Sequence, residues 1–167
     1  MVKIKPMPIA RHFTATGFVV HYDQVALHWH PKVQAWLPPG GHIEMDEDPV
    51  QAVLREIREE SGIEAEVVLT GPRFDLDYPA QVAPPLTILI EDIDDPVAGH
   101  HKHIDMIYVC RLVGRSQPLK TGWMWVARDA LAACKPLRRG DGFEAMPPED
   151  VRLLALHAFN VVDSLKS

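Results

Sequence analysis

The chain has 167 residues, of which 47% are hydrophobic and 24% are charged. This composition is typical of one globular domain large enough to bury its own core, so we expect residues 1–167 to form a single domain. The formal net charge of -6 at pH 7 excludes a general basic field that would bind nucleic acid backbones without sequence preference. A small anionic ligand therefore needs a local group of cations or a bound metal ion.

The start of the chain and its cysteines set expectations about compartment. The first residues, MVKIKPMPIARH, carry no apolar segment behind their lysines, and no stretch is apolar and long enough to span a bilayer. We therefore expect a cytoplasmic protein that has no membrane partner. The two cysteines, Cys110 and Cys134, form no CxxC pair and lie among apolar neighbours, so we expect buried, reduced thiols.

Runs rich in β-branched and aromatic residues predict strands along most of the chain. The predicted strands are 13–22, 25–29, 66–69, 86–91, 104–112 and 123–126. The pair Asp23 and Gln24 between the first two runs suits a tight hairpin.

Two segments have helical periodicity. The first begins at Asp48 and Pro49, an N-cap followed by a proline, and ends near Gly62, a typical C-cap. The second begins at Glu149 after two prolines and continues through residues 151–165. Strands divided by one helix and followed by another predict the α/β class, with a mixed central sheet between helical layers.

The first predicted helix has two distinct sides. At about 100° per residue, Val50, Leu54 and Ile57 form an apolar face that we expect to pack on the sheet. Another side carries three glutamates spaced three and four residues apart, so that their carboxylates converge: Glu56, Glu59 and Glu60.

Repulsion among these glutamates has two interpretations. On a solvated face it costs only about 0.2–0.5 kcal/mol, and Arg55 and Arg58 would supply ordinary salt bridges. In a recessed site it grows to about 4 kcal/mol at about 4 Å with an effective dielectric near 20. A hard divalent cation such as Mg²⁺ relieves it, because this ion takes oxygen ligands and shares substrate phosphates. Water activated by such an ion and a carboxylate would attack a pyrophosphate.

The residues around the glutamates decide between these interpretations. From Gly41 to Ile63 the sequence fits G-x5-E-x7-R-E-U-x-E-E-x-G-U, where U is aliphatic, and nine specified positions match without a gap. This segment resembles the complete Nudix box, and WLPPGG at 36–41 is similar to the W-x-x-P-G-G segment that precedes the box in that family. The resemblance implies a Nudix-type α/β/α sandwich. It also implies a Mg²⁺- or Mn²⁺-dependent pyrophosphohydrolase that cleaves a nucleoside diphosphate linked to another moiety X.

The resemblance implies roles for individual residues. Arg55 would orient the carboxylates by charge-assisted hydrogen bonds, and Glu47 would be an outer or occasional ligand. Glu56 is the default general base, and Glu59 shares the catalytic role. Gly41 would allow a close approach at the loop, and Gly62 would take the left-handed conformation at the helix end. The metal ligands would be Gly40 through its carbonyl, Glu56, Glu59 and Glu60.

The sequence departs from the family pattern in one respect. Family members often have a further catalytic or metal-binding acid in a loop outside the Nudix box. The loop at 111–123, where such an acid is often found, contains no Asp or Glu. The later loop RRGDGFEAMPPED offers Asp141 and Glu144 instead, and Glu144 is our candidate catalytic residue there. The alternative is an ordinary solvated loop carboxylate.

Candidate substrate contacts lie in two further segments. HHKHID at 100–105 concentrates histidines, and we expect His101 and His103 to meet phosphate at the mouth of the cleft, with a polar strand end as the alternative. A zinc site is disfavoured because neither a cysteine nor another spaced histidine is close in the sequence. Tyr78 is a candidate to stack on a base, and the following Pro79 resembles a proline of the ADP-ribose pyrophosphatase subgroup.

Other functions stay open on the sequence alone. A Nudix-fold module that senses a nucleotide without hydrolysing it is disfavoured, because every glutamate of the box is present. A 5′-end RNA pyrophosphohydrolase is weakened by the acidic balance and the lack of a Lys/Arg stripe, so a nucleic acid partner is not expected. An isopentenyl diphosphate isomerase is disfavoured because no cysteine precedes Cys110. The expected partners are a small phosphoanhydride substrate and, since relatives commonly dimerise, a second copy of the chain.

Overall fold

An eight-stranded mixed sheet forms the centre of the structure, a computed structural model that describes residues 9–165. In chain order its strands are β1 Arg11–His21, β2 Gln24–His30, β3 Ala35–Leu37, β4 Gly40–His42, β5 Ala65–Val67, β6 Thr87–Asp95, β7 Gly99–Leu112 and β8 Trp123–Ala127. A separate ribbon pairs β9 (Leu137–Arg138) with β10 (Glu144–Ala145). Each of the predicted strands is confirmed. The sequence did not predict β3, β4, β9 or β10, because two or three residues carry too little alternation.

The helices within residues 9–165 are α1 Pro49–Glu56, α2 Arg128–Ala132 and α3 Glu149–Ser164. The predicted first and last helices are confirmed, whereas the short α2 was not predicted. A π-helical turn over Ile57–Ser61 continues α1. In the part of the chain that is described, no helix combines the length and the apolar character needed to cross a lipid bilayer.

The helices cover opposite faces of the sheet, because successive side chains of a strand point to opposite sides. On one face α1 packs against a cluster that includes Ala15, Val19, Tyr108 and Cys110. The other face packs against α3, in a cluster built around these residues: Phe18, Val20, Ile107, Val109, Ala155 and Phe159. This arrangement confirms the predicted α/β/α sandwich.

Two pairings fix the arrangement of β1. It runs parallel to β7 over ten residue pairs, which makes the sheet mixed, as predicted. It also forms an antiparallel hairpin with β2, in which His21 pairs with Gln24. The turn residues are therefore Tyr22 and Asp23, and the predicted turn at residues 23–24 was one residue late. Tyr22 takes a positive φ of 51°, which is unexpected for an aromatic residue that favours strands.

The caps of α1 follow the sequence prediction. Asp48 Oδ1 accepts hydrogen bonds from the backbone N–H groups of Val50 at 2.8 Å and Gln51 at 3.0 Å. Gln51 Oε1 in turn accepts from the Asp48 N–H at 2.9 Å, which completes a capping box. At the other end Gly62 adopts the left-handed conformation with φ 80°. The start and the end of the segment are therefore both confirmed.

The predicted apolar face of α1 packs in the core, and Val53, which was not predicted, adds to it. Val53 and Ile57 are fully buried, whereas Val50 and Leu54 are partly buried against the same cluster. Gly17 on β1 explains the difference. A Cβ atom there would lie 2.8 Å from Ile57 Cδ1 and 2.9 Å from Val53 Cγ2, so its absence lets these two side chains seat against the strand. The helix is thus rolled toward Val53.

The two cysteines have different environments. Cys110 is fully buried in β7, as predicted, and burial raises the pKa of its thiol above the ordinary range. Cys134 is exposed, so the prediction of a buried thiol was wrong for this residue. It follows α2 with a positive φ of 50°, where the chain turns away from the core. Both thiols are free.

His28 on β2 makes stability depend on pH. Its ring stacks on Trp123 with the centroids 4.2 Å apart, and burial, with a smaller effect from His30, lowers its pKa to about 4. Because an unfolded histidine titrates near a pKa of about 6.5, the unfolded chain binds the proton more tightly. The free energy of unfolding should therefore fall as the pH drops from about 6.5 toward 4, by about 1 kcal/mol after discounting for solvent screening.

Urea unfolding at pH 7 and pH 5 measures this effect. We expect the decrease between the two pH values to be smaller in the His28→Gln variant than in the wild type. A His157→Gln variant provides the control, because the side chain of His157 is exposed on α3. An equal decrease in the wild type and in His28→Gln would contradict the prediction.

Candidate active site

Strand β4 and the end of α1 bring the predicted site together. β4 pairs with β1, where Gly41 lies opposite Ala15, and the chain then loops into α1. The Gly40 N–H donates to Glu60 Oε2 at 3.1 Å. Glu56 reaches the same strand, since a Cβ atom on Gly41 would lie 2.4 Å from its Oε1. The close approach predicted for Gly41 is thus confirmed, and its partner is a carboxylate.

Gly41→Ala should therefore reduce activity while keeping the fold. The added methyl group displaces the Glu56 carboxylate, and we expect kcat to fall by about 10- to 100-fold, as for other changes that disturb the support of a metal ligand. Steady-state kinetics, with circular dichroism as a check on folding, measure this effect. Gly140→Ala is the matched control, because a Cβ at Gly140 meets no atom within 4 Å. Equal losses in the two variants would contradict the prediction.

Arg55 links the acidic residues of the motif. Its Nε and Nη2 donate to both carboxylate oxygens of Glu47, at 2.6 and 2.9 Å. Its Nη1 donates to Glu56 Oε1 at 2.7 Å and to Glu59 Oε2 at 3.3 Å. Nη2 also donates to the His42 carbonyl at 3.0 Å, which ties the group to β4. These are the contacts that the orienting role of Arg55 requires.

The carboxylates of the site differ in electrostatic environment. The hydrogen bond from Arg55 holds the pKa of Glu47 below its usual value. Burial raises the pKa of Glu60, with a further contribution from the charge of Glu56 and an opposing one from the Gly40 N–H. Glu59 is the most exposed of the three predicted ligands, with 59% of its side chain accessible, against 15% for Glu56. Repulsion in the site therefore falls mainly on Glu60.

The three predicted ligands, Glu56, Glu59 and Glu60, do not share a single hydrogen-bond donor in the structure. Arg55 Nη1 lies between the first two, and Glu60 turns to the Gly40 N–H. The carboxylates thus share one end of α1 and are separated by bonds to fixed donors.

The π-helical turn shapes this end of the helix and was not predicted. Ile57–Ser61 makes a wider turn than an α-helix, which changes the angle between Glu56 and Glu60 from the one that 100° spacing gives. Ser61 Oγ donates to the Ile57 carbonyl at 2.5 Å within the turn. Such turns are frequent at functional sites. No residue type in the sequence predicts a π-helical turn.

The two candidate acids outside the motif, Asp141 and Glu144, lie on the ribbon of β9 and β10. Glu144 is exposed on β10, opposite Arg138, and within the described residues it forms no hydrogen bond or ion pair with the acidic cluster. Asp141 pairs with Arg139, which lowers its pKa to about 2. The catalytic role of Glu144 stays a prediction.

The loop before β8 supplies a cation instead of an acid. Lys120 Nζ donates to the backbone carbonyl of Glu59 at 2.5 Å, and its backbone N–H donates to the Ser61 carbonyl at 2.9 Å. The loop thus braces the end of the π-helical turn and brings a positive charge beside the glutamates. Sequence reasoning missed Lys120 because a single lysine in a loop carries no pattern.

The predicted substrate contacts have contrasting positions. Tyr78 lies in the loop between β5 and β6 with 89% of its surface exposed, and no described contact joins it to the acidic cluster. His101 is buried and His103 is half-buried on β7. They meet two more histidines, His12 and His42, from other strands. The assumption that no further histidine lies near was therefore wrong, because strand pairing joins residues far apart in sequence.

Buried polar residues on the α3 face of the sheet were also missed. Thr14 Oγ1 donates to Asp105 Oδ1 at 2.9 Å, and burial raises the pKa of Asp105. Burial, with the neighbouring Asp105 and Asp150, raises the pKa of Glu91 to about 7. In the sequence these residues alternate with apolar ones and resemble an ordinary strand edge.

Comparison with known sequences gives one consistent family. A sequence profile described as "NUDIX domain" matches residues 11–145. The bis(5′-nucleosyl)-tetraphosphatase [asymmetrical] proteins of Rattus norvegicus and Sus scrofa are each 35% identical over 77 residues, which are 42% of this chain and 52% of those proteins. The chain thus spans about half the length of the curated relatives it matches.

Solved structures share the fold. A Nudix-family hydrolase from Clostridium perfringens superposes with a TM-score of 0.71 at 25% identity and covers 92% of this chain and 99% of that one. The Ap4A hydrolase of C. elegans superposes with a TM-score of 0.52 at 12% identity, covering 96% of this chain and 100% of that one. The second likeness concerns the fold alone.

Proposed function

Because this chain belongs to the Nudix family, we propose that it is a divalent-metal-dependent pyrophosphohydrolase that cleaves a nucleoside diphosphate linked to another moiety X. The observation that carries the proposal is the Arg55 fork, which joins Glu47, Glu56 and Glu59 beside β4. On a solvated acidic face Arg55 would form ordinary salt bridges, whereas here it engages three carboxylates and the His42 carbonyl at once. Here one guanidinium aligns them at the end of α1, next to Glu60.

The donor set fits a hard divalent cation. Members of the family generally use divalent metals. Glu56, Glu59 and Glu60 offer hard oxygen ligands, which Mg²⁺ and Mn²⁺ prefer. Glu60 supports the assignment, since it is partly buried beside another carboxylate, and within residues 9–165 it forms no ion pair with a lysine or arginine. We assign the ligand role to these three residues and to the Gly40 carbonyl.

A bound Mg²⁺ or Mn²⁺ would supply charge neutralisation for the phosphates and lower the pKa of water. The protein positions the other groups. Glu56 is the proposed general base, because Arg55 engages its Oε1, and its Oε2 accepts no hydrogen bond from the described residues. Oε2 would accept the proton of the attacking water. Arg55 keeps this carboxylate oriented during that transfer.

A cation near the site would offset the repulsion between the negatively charged chain and an anionic substrate. A polyphosphate must approach a protein of net charge -6. Lys120 lies beside Glu59, where its ammonium group would attract a phosphate chain. We place dinucleoside polyphosphates first among the substrates, because the relatives of this chain include tetraphosphatases of this kind from Rattus norvegicus and Sus scrofa.

A substrate panel tests the proposal. Purified protein is incubated with dinucleoside polyphosphates, nucleotide sugars, ADP-ribose and nucleoside triphosphates, each with Mg²⁺, Mn²⁺ or a chelator, and products are separated by anion-exchange chromatography. We expect metal-dependent cleavage within the phosphate chain, and ¹⁸O-labelled water identifies the phosphorus attacked. Binding of nucleotides by folded protein without any cleavage would contradict the proposal and would favour a nucleotide-sensing module.

Several expectations accompany this proposal as predictions. One domain for the whole chain, a homodimer and a cytoplasmic location are among them. So are a contact of Tyr78 with substrate and a catalytic role for Glu144. Contacts of His101 and His103 with substrate are the alternative to the metal site argued below.

A further inference from the structure

Four histidines from three strands meet on one face of the sheet, and within the described residues no hydrogen bond joins their rings to the acidic cluster. β1 lies between β4 and β7, and His12 on β1 is directly opposite His103 on β7. His101 lies two residues before His103 on β7. His42 on β4 pairs with Thr14, which is the next residue of β1 on the same side as His12. Because residues two apart share a face, all four rings project to the same side. The rings of His12 and His101 lie 4.7 Å apart, and those of His42 and His103 lie 5.0 Å apart.

The ring nitrogens have the spacing of metal ligands. His101 Nε2 lies 3.2 Å from His103 Nε2, and His12 Nδ1 lies 3.2 Å from His42 Nε2. In a tetrahedral site with Zn–N bonds of about 2.0–2.1 Å, ligand nitrogens are about 3.3 Å apart. Ligand atoms of His12, His101 and His103 all lie within 4.8 Å of one another. Closing the longest of these distances therefore needs a shift of at most about 1.5 Å, which ring rotation supplies.

Hydrogen bonding prepares His101 as a ligand. Its Nδ1 lies 2.9 Å from the Gly99 carbonyl, and a carbonyl only accepts, so Nδ1 carries the proton. In the neutral ring Nε2 then presents its lone pair toward His103. Zinc-bound histidines usually donate their second nitrogen to a carbonyl or carboxylate in this way. The side chain is only 5% exposed, which fixes the ring in this orientation.

The donor type of the cluster also suits a particular class of metal. Neutral imidazole is the form that binds metal, and it suits zinc better than magnesium. His42 is exposed, so an ion reaches the cluster from solvent.

We propose that His12, His101 and His103, with His42 as the fourth ligand, form a binding site for a zinc-class divalent cation. This site is separate from the proposed carboxylate site and does not rest on the proposed function. An ion there would tie β4, β1 and β7 together at one end of the sheet. It would also hold β4 beside the active site, because the His42 carbonyl accepts from Arg55 Nη2.

Zinc binding to purified, chelator-treated protein tests the inference. The protein is titrated with Zn²⁺ in competition with a chromophoric chelator, and bound zinc is counted by elemental analysis after dialysis. We expect one zinc per chain in the wild type. His12→Asn and His103→Asn should each weaken zinc binding by about 100-fold or more. Co²⁺ should give the visible absorption of a four-coordinate nitrogen site in the wild type and lose it in these variants.

Two controls separate this site from its surroundings. His100→Asn changes a histidine next to the cluster whose ring pairs with Asp94 instead, so zinc affinity should stay unchanged. Glu60→Gln alters the proposed catalytic site and should also leave it unchanged. Circular dichroism verifies that each variant is folded, and Zn²⁺ should raise the melting temperature of the wild type but not of His12→Asn.

Three results would overturn the inference. One is wild-type protein that retains no zinc, which would make the histidines a hydrogen-bonded network only. Another is equal zinc affinity in the wild type and in both folded histidine variants. The third is inorganic phosphate binding that requires His101 and His103 in protein that binds no zinc, which would assign these residues to substrate instead.

Discussion

Replacing Glu59 or Glu60 by glutamine should lower kcat by about 100-fold or more while the fold is retained. Glutamine keeps the size of the side chain, and at position 60 its oxygen still accepts from the Gly40 N–H. What it loses is the negative charge that holds the divalent ion. Because Glu60 is repelled by Glu56, its replacement should leave the melting temperature equal or higher. Steady-state kinetics and thermal melts measure both effects.

The matched control is Glu64→Gln. Glu64 lies just beyond the motif with an exposed side chain, so the change removes the same charge from the same region. Its kcat should equal that of the wild type. Wild-type turnover in Glu59→Gln or Glu60→Gln would refute the assignment of these residues to the metal. An equal loss of kcat in Glu64→Gln would show that the loss comes from removing any negative charge in this region.

Arg55→Lys should lower kcat by about 10- to 100-fold, although the positive charge is kept. The guanidinium donates to Glu47, Glu56 and Glu59 at once, and a lysine ammonium cannot span these acceptors. The carboxylates should then adopt several orientations, so a higher Mg²⁺ concentration should be needed for half-maximal activity. Kinetics at varied Mg²⁺ concentration separate this effect from the loss in kcat.

Arg58→Lys is the control for Arg55→Lys. Arg58 lies one turn along the same segment and is exposed, so its replacement should change neither kcat nor the Mg²⁺ dependence. If Arg55→Lys behaved like Arg58→Lys, the fork would be a surface ion pair of little consequence, and its orienting role would be wrong.

The sequence predicts much of the fold because its signals are local. Alternating apolar residues mark β1 and β7, and Asp48 with Gly62 marks both ends of the helical segment. The motif also predicts that Arg55 lies beside the glutamates, since fixed offsets on one helix determine which side chains share a side, and Arg55 donates to Glu56 and Glu59. Interactions within one element or one hairpin are therefore the ones that sequence patterns report.

Features that depend on contacts between distant segments were not predicted. The roll of α1 depends on the missing side chain of Gly17, which is forty residues from Ile57 in sequence, and a Cβ atom there would lie 2.8 Å from Ile57 Cδ1. The histidine cluster depends on the parallel pairing that sets His12 opposite His103. The π-helical turn at Ile57–Ser61 changes the helix by one residue per turn, which no residue preference specifies.

Manganese binding followed by electron paramagnetic resonance tests the central claim most directly. Free Mn²⁺ is titrated into the wild type and into a variant in which Glu56, Glu59 and Glu60 are all replaced by glutamine. Mn²⁺ prefers carboxylate ligands, so the histidine cluster contributes little to the signal. The wild type should bind Mn²⁺, and more tightly in the presence of a non-hydrolysable dinucleoside polyphosphate, whereas the variant should bind no more Mn²⁺ than the polyphosphate binds without protein. Equal binding by the two proteins would contradict the claim that this acidic end of the helix holds the metal.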